Sequence, residues 1–145
     1  MRKIKSAFEL LILLITCTMV VSCINSEKKE ISYRAIDEGR IEMFNNELET
    51  SEVTTLEELA SLYRAKDVYA EGNYSYETVI KELHKDLFEL SIKEEGLMDD
   101  SIFGIISIIE VERNNNGSWK VLKIKEAYKC WPNRGHQEWG PEFCN

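Results

Sequence analysis

Residues 102–130 read Ile102-Phe103-Gly104-Ile105-Ile106-Ser107-Ile108-Ile109-Glu110-Val111-Glu112-Arg113-Asn114-Asn115-Asn116-Gly117-Ser118-Trp119-Lys120-Val121-Leu122-Lys123-Ile124-Lys125-Glu126-Ala127-Tyr128-Lys129-Cys130. Two runs rich in β-branched residues flank Asn116-Gly117, a dipeptide favoured where both central turn residues need positive φ. A two-residue loop there sets Asn115 opposite Ser118 and fixes every pair beyond it. Val111 then faces Leu122, Ile109 faces Ile124, Ile105 faces Tyr128 and Phe103 faces Cys130, all on one side. The other side holds Glu110 opposite Lys123, with Glu112 near Lys120, which are complementary charges. Slipping by one residue scatters the apolar set over both faces, so this register is the expected one. A lone hairpin is marginal in water, and its apolar face needs a cover.

One pair does not fit. Ser107 and Glu126 oppose each other on the apolar side, and an unpartnered buried carboxylate is costly. Two readings stand: Glu126 meets a cation from the C-terminal loop inside a polar pocket, or a bulge turns it outward.

The cover comes from the residues before the hairpin. Ile36, Ile41, Met43, Phe44 and Leu48 recur at helical spacing within residues 31–48, with Gly39 as a weak point. Thr54 and Glu57 form a capping-box pattern. Leu56, Leu59, Ala60, Tyr63 and Ala70 follow on one helical face, and Gly72-Asn73 ends it. A third helix is expected over residues 75–93, with Val79, Ile80, Leu83, Leu87 and Leu90 as its stripe and Gly96 as its stop. His84 sits one step off that stripe with no second ligand pattern nearby, so it reads as structural. The expected fold is therefore α+β: about three N-terminal helices packed on an antiparallel β-hairpin, with a disulfide-closed C-terminal loop.

That loop runs Cys130-Trp131-Pro132-Asn133-Arg134-Gly135-His136-Gln137-Glu138-Trp139-Gly140-Pro141-Glu142-Phe143-Cys144 and holds both prolines of the chain. Closing a loop of about 15 residues contributes about 3 kcal/mol in the chain-entropy model. Trp and Arg are enriched where proteins bind, and loops present function on rigid scaffolds. Arg134, His136 and Trp139, with Glu126, are the candidate binding residues. The competing reading folds Trp131, Trp139 and Phe143 back to close the core.

The start of the chain decides where this domain works. Met1-Arg2-Lys3-Ile4-Lys5 is basic, residues 10–21 are apolar, and Val20-Val21-Ser22-Cys23 follows. A basic region, a short apolar run and a small residue before cysteine are the layout of an export signal. The apolar run falls short of the roughly 20 residues a spanning helix needs. The four residues ending at Cys23 resemble the lipobox of bacterial lipoproteins, with Val20 and Val21 in place of leucine and a small residue. The resemblance implies cleavage before Cys23, diacylglycerol on its thiol and acylation of its amine, with palmitate the expected kind of acyl chain. The chain then divides into a signal peptide (1–22), a lipidated tether (23–30) and a single α+β domain (31–145). In the sorting pattern of enteric bacteria a non-aspartate residue after the lipidated cysteine goes with the outer membrane, which Ile24 meets. The expected location is the cell envelope, facing the periplasm if the host is Gram-negative. Loss of Cys17 and use of Cys23 leave Cys130 and Cys144 as a pair, which reads as a disulfide outside the cytoplasm.

Composition limits function. The chain carries a net charge of −8, and loss of the basic start leaves the rest more acidic still. Such a domain does not suit nucleic acid, whose phosphates need Lys and Arg. It suits a protein partner with a basic surface. There is no G-x-S-x-G, no H-E-x-x-H and no phosphate-cradling glycine loop. Glu126 with Arg134 and His136 is the one combination with acid–base chemistry, and it lacks a nucleophile. With no metal and no cofactor expected, the chain reads as a non-catalytic, lipid-anchored binding or interaction protein. The alternative is a small-ligand binder whose pocket lies between the helices and a curved hairpin, lined by Glu126 and the loop aromatics. That arrangement distantly resembles the helix-over-curved-sheet cone of nuclear-transport-factor-like domains, from which it departs in showing two strands.

Overall fold

The central hairpin forms, and two bulges adjust its register. A computed structural model describes residues 30–67 and 72–145; the signal segment, Cys23, most of the tether and Ala70 lie outside the described residues. Strands β4 (Ile102–Arg113) and β5 (Trp119–Cys130) pair as expected from Gly104↔Lys129 to Glu110↔Lys123, including Ser107↔Glu126 and Ile109↔Ile124. The turn is one residue longer than expected. Asn114 and Ser118 close it: Gly117 N–H donates to the Asn114 carbonyl at 2.9 Å, and Gly117 takes φ 87°. This is the three-residue loop in which a turn is followed by a left-handed glycine. The longer loop moves the adjoining pairs by one, so Val111 meets Val121 rather than Leu122. A bulge at Leu122 restores the register and leaves that residue 41% exposed, while Val121 enters the core. A second shift pairs Cys130 with Ile102 and sets Phe103 apart.

The expected third helix is instead a second hairpin. Strands β2 (Ser75–His84) and β3 (Leu87–Glu95) run antiparallel through a tight turn in which Asp86 takes φ 62°. The apolar residues of this stretch also fit period two: Leu90, Ile92 and Glu94 are buried in alternation. The β-branched run Thr78-Val79-Ile80 favours extended backbone. β4 also needs a partner on its open edge, and β3 supplies it with Leu90 opposite Ile109 and Ile92 opposite Ser107. Gly96 ends a strand, not a helix. At φ 77°, a Cβ there would lie 2.7 Å from the Asn73 carbonyl oxygen.

The sheet has five strands in the order β1-β5-β4-β3-β2, all antiparallel. β1 (Arg34–Ala35) occupies what was expected to be the start of the first helix and pairs Arg34 with Glu126. Helix α1 (Glu38–Thr50) begins only at its N-cap Asp37, whose carboxylate accepts from Arg40 N–H. Helix α2 (Leu56–Tyr63) has its capping box one residue later than expected, on Thr55 and Glu58. It stops at Arg64, well before Gly72. The architecture is thus two helices on a five-stranded antiparallel sheet, which replaces the expected three helices on a hairpin.

Helix α1 lies on β5, and α2 lies on β2 and β3. Phe44 and Leu48 from α1, with Leu56, Leu59 and Ala60 from α2, cover Leu90, Ile92, Ile109, Val111, Val121 and Ile124. Asn45 seals the open stretch of the β5 edge: its side chain donates to the Val121 carbonyl at 2.9 Å and accepts from Val121 N–H at 2.8 Å. Residues Ile31–Asn145 form one compact unit. Among the described residues, no helix is long and apolar enough to cross a membrane.

Candidate functional site

Glu126 points into the protein and is 3% exposed, so the outward reading does not hold. Its cation comes from the end of α2 rather than from the C-terminal loop. Arg64 Nη2 lies 3.3 Å from Glu126 Oε1. The same oxygen accepts from Tyr63 at 2.8 Å and Ser107 at 3.1 Å, and Oε2 accepts from Tyr128 at 2.6 Å. Burial drives the Glu126 carboxyl upward, but Tyr128, Tyr63, Arg64 and Ser107 together outweigh it and hold the group below the usual carboxylate range. Burial and the carboxylate push the Tyr63 and Tyr128 hydroxyls well above their ordinary value.

A second acid shares the same guanidinium. Glu94, 2% exposed, faces Arg64 Nε at 3.2 Å and accepts from Tyr74 at 2.8 Å. The Arg64–Glu94 contact is an ion pair without the alignment of a hydrogen bond. Tyr74 in turn accepts from Asp67 N–H, and burial, with Glu94 nearby, pushes its hydroxyl up to about 12. Tyr76 donates to the Arg64 carbonyl at 3.1 Å and steadies the helix end. Glu94 and Arg64 were absent from the expected site. Glu94 continues the period-two run Leu90-Ile92-Glu94, a signal hidden by reading that stretch as helix.

The C-terminal loop closes as expected, with Cys130 bonded to Cys144. Gly135 lies so close to the bridge that a Cβ would sit 2.8 Å from Cys130 Sγ. Arg134 is exposed and contributes backbone contacts, its N–H donating to Trp131 O and its carbonyl accepting from Asn145 N–H. His136 is a brace: its Nδ1 lies 2.7 Å from the Glu138 carbonyl and its Nε2 3.0 Å from the Glu142 carbonyl. Two accepting carbonyls favour the imidazolium, which donates from both nitrogens, and they raise the His136 pKa. Trp139 packs over Gly104, with the Lys93 and Lys129 ammonium groups 5.7 and 5.8 Å from its ring centre. Trp131 meets Phe103 edge-on at 4.8 Å. Phe143, 53% exposed, rests on Tyr128 beneath the Arg34 guanidinium.

The structure therefore does not assemble Glu126, Arg134 and His136. The partners of Glu126 lie on α2, its cap and the sheet, and the loop reaches it through Tyr128, which Phe143 packs on and Gly140 pairs with along the backbone. His84 is an exposed residue at the end of β2. Among the described residues, no group of three His, Cys, Asp or Glu is placed to hold a metal.

Two of the open clefts formed by the described residues bear on function. One, of about 250 Å³, lies between α1, α2 and β5, lined by Ile36, Phe44, Leu62 and Ile124 with Arg40 and Glu47 on it. The other, of about 470 Å³, lies at the end of the sheet, where Leu97, Met98, Asp99 and Asp100 meet Phe103 and Trp131. Compared with known proteins, the chain matches no protein-family model, no curated protein and no solved structure.

Proposed function

We propose that this chain is a non-catalytic interaction protein of the bacterial cell envelope, held on a membrane by lipid on Cys23. The observation that carries the reading is the Cys130–Cys144 bridge, whose persistence requires an oxidising compartment. The lipobox-like run ending at Cys23 would deliver the domain to such a compartment. Two or three acyl chains hold a protein on a bilayer, where one binds reversibly. The buried carboxylates support a structural role, because Tyr63, Tyr74, Tyr128, Ser107 and Arg64 already engage them.

The smaller cleft favours a second reading, a small-ligand binder. Its floor of Ile36, Phe44, Leu62 and Ile124 is apolar, and Arg40 and Glu47 are polar groups that orient a guest. This pocket differs from the one expected, since neither Glu126 nor the loop aromatics line it. Fatty-acid labelling of cells expressing the chain, followed by membrane fractionation, tests the first reading. Label on the wild type that vanishes in Cys23→Ala supports it. An unlabelled chain recovered from the cytosol with free thiols at Cys130 and Cys144 overturns it.

A further inference from the structure

We infer that the cleft at the end of the sheet is the docking site for the basic partner, and that it takes a Lys- or Arg-bearing segment with an apolar side chain between its charges. This inference rests on the interaction reading above and names the surface that serves it.

The floor and rim have different chemistry. Phe103 and Trp131 meet edge-on at 4.8 Å and form an aromatic floor, with half-buried Leu97 beside them. Met98 stands on the rim 80% exposed, an apolar side chain with three rotatable bonds that adapts to a guest. Asp99 and Asp100 add two carboxylates to that rim. Lys129 lies over Phe103 at 4.9 Å and shares Glu95 with Lys93, so Asp99, Asp100 and Glu95 set three carboxylates against these two ammonium groups. The rim therefore presents net negative charge beside apolar surface, in a chain whose overall charge is −8. A basic, partly apolar segment matches both features.

The cleft is also built before any guest arrives. Asp99 accepts from Ser101 N–H at 2.8 Å and Ile102 N–H at 2.7 Å, which fixes the turn. Gly96 and Leu97 N–H groups both donate to the Phe103 carbonyl. Trp131 N–H donates to the Ser101 carbonyl, and its neighbour Cys130 carries the disulfide. Asp99 is thus committed to the turn, and Asp100 is the acid that meets a partner's cation. The bridge holds one wall of the cleft, so the oxidising compartment and the binding surface belong to one design.

The test uses the full chain purified in non-ionic detergent and two probes, acetyl-Lys-Leu-Lys-amide and acetyl-Glu-Leu-Glu-amide. Amide chemical shifts of residues 97–103 and 131 should move with the lysine peptide and stay still with the glutamate peptide. Asp100→Lys should weaken the lysine peptide by about fivefold or more, the scale of one exposed ion pair turned into repulsion. Met98→Ala should weaken it without changing its salt dependence. Both side chains are exposed, so neither change endangers folding. Equal shifts with both peptides, shifts centred elsewhere, or an affinity indifferent to Asp100→Lys would overturn the inference. Self-association of the chain that Asp100→Lys abolishes would overturn it too, by making a second copy the occupant. Lipid labelling of Cys23 is read separately, so a failed cleft and a failed anchor give different results.

Discussion

Glu126→Gln is the most direct perturbation of the buried network. The carboxylate accepts from Tyr63, Ser107 and Tyr128 and faces Arg64 at 3.3 Å. Glutamine keeps the shape but offers one oxygen, and its amide then points at hydroxyls that were donating. Hydrogen bonds to a charged group contribute about 1.5–3 kcal/mol against about 0.5–1.5 for neutral pairs, so each of these bonds loses roughly 1 kcal/mol. The Arg64 contact adds at most about 1 kcal/mol, because that side chain is 24% exposed and partly screened. The expected loss at pH 7 is about 2–4 kcal/mol. Its pH dependence has a definite sign. The folded carboxyl lies below its ordinary value, so its contribution is present above the unfolded carboxylate pKa of about 4.3. It is lost as pH falls through the lower folded value. Urea titrations of wild type and variant at pH 7, and in steps below pH 4.5, should show a gap that narrows with acid. Glu94 shares the Arg64 guanidinium, so the same pair is measured on a Glu94→Gln background. A difference under about 0.5 kcal/mol at pH 7, or one constant across the range, refutes the reasoning.

Cys23→Ala should leave a heavier precursor that takes no fatty-acid label, seen by gel shift and labelling. Cys144→Ser should cost about 2–4 kcal/mol in denaturant titration, as loss of a bridge of this loop length does. Arg134→Ala should stay within about 0.5 kcal/mol of wild type, since its side chain is exposed. His136 differs: its raised pKa means its contribution is fully present below the unfolded value of about 6.5 and fades as pH rises through the folded value. Amide exchange across residues 131–145 should therefore quicken above that value in the wild type, and His136→Ala should remove the pH step.

The middle of the central hairpin was legible because its facing pairs satisfy both sides of the sheet at once, Ile109 with Ile124 on one and Glu110 with Lys123 on the other. Its ends were not. Asn114-Asn115-Asn116-Gly117 accommodates a two- or a three-residue loop, and the choice is made where Val121 rather than Leu122 fits against Val111. The disulfide was legible because the signal reading set Cys17 and Cys23 aside and left one pair for an oxidising compartment. Residues 75–93 were not, because Val79, Ile80, Leu83, Leu87 and Leu90 satisfy a helical stripe while Leu90, Ile92 and Glu94 satisfy a strand. The tie is broken by the unpaired edge of β4, a demand that no local window contains.

The partner of Glu126 was hidden for the same reason, and the two omissions have one cause. Once residues 87–95 are read as a strand, Glu94 becomes a second acid at a core-facing position, with Ile105 across from it and Tyr128 beyond. Two carboxylates on one buried face require a cation from whatever covers that face. The covering element is α2, and its C-cap is Arg64, at the helix end where the backbone dipole favours positive charge. An unfilled charge requirement on the sheet thus selects the helix end above it, and placing Arg64 between Glu94 and Glu126 sets where α2 must stop.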